Sequence, residues 1–383
     1  MEIEISPVQE RYIQKAGLMH IFEKVVEGER LTFEDGVKLY GTNDILVLGF
    51  LANIVRERLN GDKTYFVKNH IINYSNICEL DCKFCSFYRK EGQEGAYRFS
   101  LEQIFEKIRP LKDEIVEVHI VGALDPRLPW EYYLDMMRGI KDINPKINIK
   151  AFTAVEIDYF ARMFGKTYEE VLSELKEAGL DTMPGGGAEV FSERVRQKLF
   201  PDKIGAKEWL EVHRTAHKLG IRTNATMLYG HMETVEERVE HLIKLRELQD
   251  ETGGFLTFIP LPYHPKNNKY AGDWVTGLQN LKSFAVARLM LDNFPHIKCF
   301  WVSTGVKVAL ISQNFGVDDL DGTVREERIY LMAGADTAHY LSKNQLIKLI
   351  KDAGRTPIDR DAYYNDIAEI ISELPEDEKI KLF

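Results

Sequence analysis

Residues 70–88 read HIINYSNICELDCKFCSFY, and their reading decides the fold. His70–Ser75 is a short apolar run of strand character that leads straight into a loop holding Cys78, Cys82 and Cys85. Further strand candidates follow at Glu117–Ala123, Ile147–Ala154, Leu180–Met183, Arg222–Tyr229, Phe255–Leu261 and Ile297–Val302. Amphipathic helical stretches separate them. Four of these begin with a capping-box pair, Ser100/Gln103, Thr167/Glu170, Thr234/Glu237 and Ser342/Gln345, in which two side chains satisfy orphan N–H groups of the first turn. Strand–helix alternation implies a parallel sheet with crossover helices. Seven strands, with an eighth candidate at Asp318–Asp321, predict an α/β chain forming a TIM-type (β/α) barrel, full or nearly full. Such barrels place function in the loops after the C-terminal strand ends, and Asn76–Tyr97 is the first of these.

Outward from the barrel, residues 1–69 read mostly as an N-terminal helical segment, 70–316 as the barrel, and 317–383 as a C-terminal strand and helical extension ending in the charged tail ELPEDEKIKLF. Fifty Lys and Arg against 60 Asp and Glu give a net charge of −10, which argues against a nucleic-acid partner because phosphate binding needs a basic field. The N-terminus lacks the basic start and apolar run of a signal peptide. Ile45–Val55, the most hydrophobic stretch, is too short to span a bilayer and reads as a buried helix. No membrane span is expected.

Only four cysteines occur, three of them within residues 78–85. That clustering is unlike a disulfide framework and points to metal or catalysis in a reducing cytoplasm. Spacings of four and three residues let one loop wrap three corners of an iron–sulfur cubane. With no fourth cysteine nearby, one iron is left open. The alternative from a different class is a zinc-stabilised binding module, but zinc ribbons and fingers pair two ligand clusters and no second cluster stands at ligand spacing.

The loop resembles that of the radical S-adenosylmethionine (SAM) superfamily, Cys-x3-Cys-x-aromatic-Cys, with Phe84 at the aromatic position and Phe87 and Tyr88 after it. The resemblance implies a 4Fe–4S cluster held by Cys78, Cys82 and Cys85, with SAM on the open iron. It places Phe84 beside the adenine, with Tyr88 nearby. Small residues Gly122 and Ala123 would let backbone carbonyls reach the methionine amine, and Tyr229, in MLYGHMET at 227–234, lies in an adenine-contact segment. Glu189 would face the ribose or methionine carboxylate region, although its place after three glycines equally suits a helix N-terminus.

Three longer segments, AGLDTMPGGGAE at 178–189, EWLEVHRTAH at 208–217 with ATMLYGH at 225–231, and LQDETGGF at 248–255, are similar to the aminofutalosine synthase and cyclic dehypoxanthine futalosine synthase pair of menaquinone biosynthesis. KAFTAVE at 150–156 and FIPLPYH at 258–264 resemble the synthase form. FGVDDLDGT at 315–323 fits both. The implied reaction adds the 5′-deoxyadenosyl radical to the enol-ether double bond of 3-[(1-carboxyvinyl)oxy]benzoate, with aryl migration and decarboxylation. SAM is then a co-substrate, and a flavodoxin or ferredoxin is the implied donor. The rivals within the superfamily are the cyclase and the deazaflavin-forming synthase. One departure stands out: where the family has Gly-Gly-Leu-His, this chain has Gly122-Ala-Leu-Asp125, and no role is assigned to that last position.

Strand alternation puts Glu117 and His119 on the barrel interior, where His119 is a hydrogen-bonded core residue or a ligand contact. Tyr229 and His231 join it as catalytic candidates. Two substrate carboxylates need cationic or donor partners, and Arg89, Lys150 and His264 are candidates by strand-end position. His213 and His217 lie four apart on a helix without a third ligand signal, so packing roles are expected. Cys299 reads as a buried strand residue.

Overall fold

The computed structural model describes residue 3 and residues 5–368. Among the described residues eleven strands run, in chain order, β1 (Lys63–Val67), β2 (Asn69–Ile72), β3 (Glu117–Ile120), β4 (Asn148–Ala151), β5 (Thr182–Met183), β6 (Arg222–Tyr229), β7 (Phe255–Pro262), β8 (His296–Ile297), β9 (Asp319–Gly322), β10 (Thr356–Arg360) and β11 (Asp366–Ala368). Strands β2 to β8 form one parallel sheet in chain order, the arrangement that right-handed crossover helices produce. Residues 318–325 bind both of its edges. On one side Ile297 O accepts from Asp318 N at 3.1 Å and Cys299 N donates to Asp319 O at 2.8 Å; on the other, Ile71 N donates to Arg325 O at 3.0 Å. The eighth stave of the barrel is therefore this partly irregular segment.

Strand β9 also belongs to a second sheet, ordered β11-β10-β1-β9. Two features of it depart from the sequence reading. Strand β1 lies in the stretch read as helical, and the C-terminal extension contains strands β10 and β11 as well as the Lys343–Asp352 helix. The charged tail lies outside the described residues. The last barrel strand is also shorter than the expected Ile297–Val302, because Trp301–Thr304 is a helical turn. Trp301 is buried there, and its indole N–H donates to Gly322 O at 2.8 Å, a tertiary bond that the local β-propensity of Phe-Trp-Val does not foresee.

All four expected capping boxes are present. The Ile45–Asn60 helix is buried as expected, through Val47, Leu48, Leu51, Ala52 and Ile54, and packs on the Gly277–Met290 helix. Arg56, on the same helix, is fully buried yet satisfied, donating to Lys63 O at 2.6 Å, Thr64 Oγ1 at 2.9 Å and Val317 O at 3.2 Å. It ties the helical segment to the small sheet. Among the described residues no helix is long and apolar enough to cross a membrane.

Candidate active site

A cavity of about 340 Å³ runs from the loop after β2 down into the barrel. At its mouth stand Cys78, Cys82 and Cys85, all free thiols. The loop is held by its own backbone: Cys78 N donates to Arg89 O at 3.0 Å and Cys85 N to Cys82 O at 3.1 Å. Lys90 adds three short bonds, to the carbonyls of Cys78, Glu79 and Leu80. Cys82 and Phe84 pack on a small apolar cluster of Val190, Val195, Leu199 and Phe200, separate from the main core. Burial pushes the thiols up, Cys82 to about 12, and its sulfur feels both Cys85 and Cys78. Thiolates in such a setting require a bound cation. Among the described residues no three His, Cys, Asp or Glu side chains already converge on a single-ion position. Three free thiols on one loop, facing one cavity, fit a cluster with separate irons at its corners.

Phe84 meets Phe200 edge-on at 5.7 Å, with the Lys203 ammonium 5.6 Å from its ring. Lys203 is ion-paired with Glu189, and although burial alone would lower its pKa, Glu189 and Cys82 hold it above the usual lysine value. Glu189 takes a left-handed backbone, φ 49°, after Gly187 at φ 88°, so the turn is bent to bring that carboxylate to the cavity. Gly185 allows a close approach of a different kind: a Cβ there would lie 2.6 Å from Ala225 Cα and Asn224 O.

Gly122 and Ala123 line the cavity beyond β3. The segment resembling the synthase form explains how they are held. Thr153 and Glu156 form the capping box of the Ala154–Phe164 helix, and Glu156 Oε1 also accepts from Gly122 N at 3.0 Å and Tyr74 OH at 2.8 Å. Burial raises the Glu156 carboxyl to about 6 against these donors. Asp125, standing where the family has histidine, is fully buried and clamped by Ser75 Oγ at 2.7 Å and by Arg98 through both oxygens, at 2.6 and 2.5 Å. It braces the strand ends and does not line the cavity.

Lower in the barrel the walls are Ile71, Leu228, Ile259, Leu261 and Phe300, and the floor is polar. Lys150 Nζ lies 2.6 Å from Glu117 Oε2, and Lys298 Nζ donates to Asp321 Oδ1 at 3.0 Å. Burial would raise the Glu117 carboxyl, but Lys150, with Arg360 and Lys298 behind it, holds it below the usual carboxylate range. His119 stands among them with Nε2 buried and unpartnered, and burial followed by repulsion from Lys150 pushes its pKa down to about 4. It is a neutral imidazole.

Eleven residues expected from the sequence therefore share one cavity wall: the three cysteines, Phe84, Tyr88, Gly122, Ala123, Glu189, His119, Lys150 and His264. Three do not. Tyr229 lies on the outer face of β6, fully buried, with its hydroxyl donating to Asn280 Oδ1 at 2.6 Å; strand alternation gives the cavity Asn224, Thr226 and Leu228 instead. His231 is turned away, bound through Nε2 to Leu228 O at 3.0 Å and through Nδ1 beside Glu233 at 2.9 Å. Arg89 is spent on the loop backbone, donating to Ser86 O at 3.0 Å and Tyr88 O at 2.8 Å. None of these three lines the cavity. His213 and His217 both bond Thr223 Oγ1 at 2.8 Å, which is packing, and Cys299 is buried.

The sequence reading missed Lys203, Lys298, Asp321 and Glu327, which all line the cavity. Lys298 carried a usable signal, being one charge inside the apolar run Ile297-Lys-Cys-Phe-Trp.

Comparison with known proteins agrees with this geometry. The radical SAM superfamily profile matches residues 72–245, and the CofH/MqnC C-terminal region matches residues 252–373. An aminodeoxyfutalosine synthase of Thermus thermophilus is 49% identical over 93% of this chain and 98% of its own length. That of Streptomyces coelicolor is 43% identical over 92% and 95%. Among solved structures, methylornithine synthase (PylB) superposes with a TM-score of 0.68 at 17% identity, covering 88% of this chain and 97% of that one, a likeness of fold.

Proposed function

Because this chain belongs to the radical SAM superfamily, in the group that carries the CofH/MqnC C-terminal region, we propose that it catalyses the aminodeoxyfutalosine synthase reaction. The reaction joins the 5′-deoxyadenosyl group of SAM to the alkene of 3-[(1-carboxyvinyl)oxy]benzoate, moves the aryl group, and releases methionine and bicarbonate. It belongs to menaquinone biosynthesis. The observation that carries this reading is one cavity joining three free thiols at its mouth to a polar, lysine-bearing floor, in a chain nearly half identical to a synthase along almost its whole length.

Cys78, Cys82 and Cys85 would hold a 4Fe–4S cluster. When bound, that cluster supplies the electron that cleaves SAM. The protein's own residues position and shield. Phe84, stacked edge-on against Phe200, offers an apolar face to the adenine. Glu156 fixes the Gly122 peptide at the end of β3, and the Glu189–Lys203 pair faces the polar part of SAM. Apolar walls from β2, β6 and β7 exclude water and hold the alkene toward the 5′-deoxyadenosyl group with the aryl ring beyond it; that orientation is what the step chiefly needs. No side chain has to transfer a proton in the bond-forming step. His264, whose Nε2 bonds Ser303 O at 2.8 Å, leaves Nδ1 toward the substrate region. An acidic low-potential carrier of the flavodoxin or ferredoxin type is the proposed donor, and a reducing cytoplasm the setting that keeps the thiols available.

The test is anaerobic reconstitution with iron and sulfide, followed by incubation with reductant, SAM and the enolpyruvyl ether. Aminodeoxyfutalosine detected by mass is the expected product. Consumption of dehypoxanthine futalosine with no reaction of the ether would transfer the assignment to the cyclase. Colourless protein holding one zinc would return it to the binding-module class.

A further inference from the structure

Lys298 is assigned no role by the sequence reading or by the reaction itself, yet it lines the cavity as a buried ammonium. We propose that Lys298, flanked by Lys150 and His119, grips the ring carboxylate of the substrate at the barrel floor and so selects a benzoate over an unsubstituted phenyl ether. This rests on the synthase reading and deepens it.

Position comes first. His119 precedes Gly122 by three residues along β3 and beyond, which at strand rise sets the floor about 10 Å below the SAM-facing strand end. The alkene must face that upper end, so the aryl group and its carboxylate point down. Ile71, Ile259, Leu261 and Phe300 give the cavity an apolar lining suited to a ring.

Donor capacity comes second. An ammonium has three N–H donors. Lys298 is 2% exposed, donates to Asp321 Oδ1 at 3.0 Å, and stands 4.0 Å from Asp319, which Arg360 already occupies at 2.9 and 2.8 Å. Lys150 is held more tightly, 2.6 Å from Glu117, and is the less available of the two. Beside them His119 Nε2 is buried without a partner. Unused polar capacity on buried groups facing one cavity is what a polar ligand would satisfy.

Backbone strain comes third. Asp321, which braces Lys298, is non-glycine at φ 63°, a left-handed conformation that L side chains other than glycine seldom adopt. The strain turns its carboxylate inward to the lysine and gives a role to the Asp-Asp-Leu-Asp-Gly run at 318–322.

The ring carboxylate is unchanged by the chemistry, so its contacts are equal in ground and transition states and act on KM, not kcat. The experiment compares wild type, Lys298→Met and the charge-balanced Lys298→Met/Asp321→Asn, all reconstituted. Two ethers are used, the benzoate substrate and 2-phenoxyacrylate, which lacks the ring carboxylate. Dissociation constants by calorimetry are measured beside turnover. Loss of a charged hydrogen bond predicts a rise of about tenfold or more in Kd and KM for the benzoate, with kcat within about threefold and the phenoxyacrylate values unmoved. Equal losses for both ethers, or none for either, would overturn the proposal while leaving the synthase reading intact. Wild-type protein that turns over neither ether overturns that reading and the proposal with it. The double variant guards against misfolding, because it leaves no unpaired Asp321 charge.

Discussion

Lys150 and Glu117 occupy neighbouring strands two residues out of register, and their charges meet 2.6 Å apart inside the barrel. Both are buried. Removing one partner strands the other: Lys150→Met is expected to lower unfolding stability by about 3–5 kcal/mol, and Lys150→Met/Glu117→Gln to regain most of it. Urea denaturation of both variants measures this. A double variant as unstable as the single one would mean that packing, not charge, is what Lys150 contributes.

The Tyr229 hydroxyl serves Asn280 outside the barrel. Tyr229→Phe should therefore cost about 1 kcal/mol of stability, seen as a lower Tm, with turnover kept within about twofold. A large fall in turnover at unchanged Tm would restore Tyr229 to the site.

Gly185 has no room for a methyl, since the obstructing atoms are the backbone of β6 and cannot rotate aside. Gly185→Ala is expected to cost about 2–3 kcal/mol through strain and to lower activity by displacing the Gly185–Gly187 turn. Gly186→Ala, meeting only the Thr153 methyl at 3.0 Å, should be milder in both assays. The reverse ranking would contradict the packing described.

Glu327 is buried in the cavity wall, and burial raises its carboxyl to about 7 from an ordinary 4.5, against N–H donors of Tyr330 and Leu331. A raised folded-state pKa means the folded protein binds the proton more tightly. The stabilisation is complete below the unfolded value and is lost as pH rises through 7. Relative to wild type, Glu327→Gln should thus gain stability from pH 5 to pH 8, by on the order of 3 kcal/mol at most. Denaturation midpoints at the two pH values decide it, and a pH-independent difference would show that Glu327 titrates normally.

Cys82 packs on the small cluster at Val190, Val195, Leu199 and Phe200, outside the main core. Cys82→Ala should bind little iron and sulfide on reconstitution and lose visible absorption, while far-ultraviolet circular dichroism and Tm stay near those of the apo wild type. Global unfolding of the variant would place the loop inside the folding core.

The barrel was legible because its signals are local. Alternating apolar runs and capping pairs depend only on nearby residues, and β6 spans the Arg222–Tyr229 run expected of it. Strand β1 was not legible, because Lys63–Val67 becomes a strand only by pairing with β9 and β10, which lie some 250 and 290 residues away. Trp301 likewise enters a helical turn for the sake of a distant carbonyl. Within the site, type and spacing marked the cysteine loop, whereas strand-end position alone could not say which way a side chain points. That ambiguity admitted Tyr229, His231 and Arg89 and hid Lys203.

By itself, then, the sequence determined the three thiols, their loop after the first barrel strand, and the parallel alternation that carries them, since each follows from spacing along the chain. Only the tertiary structure decided what lies opposite: Glu189 held by Lys203, Gly122 held by Glu156, and the floor of Lys150, Lys298 and His119. Those partners come from different strands and loops. Their meeting depends on register and side-chain direction, which are properties of the closed barrel and of no single segment.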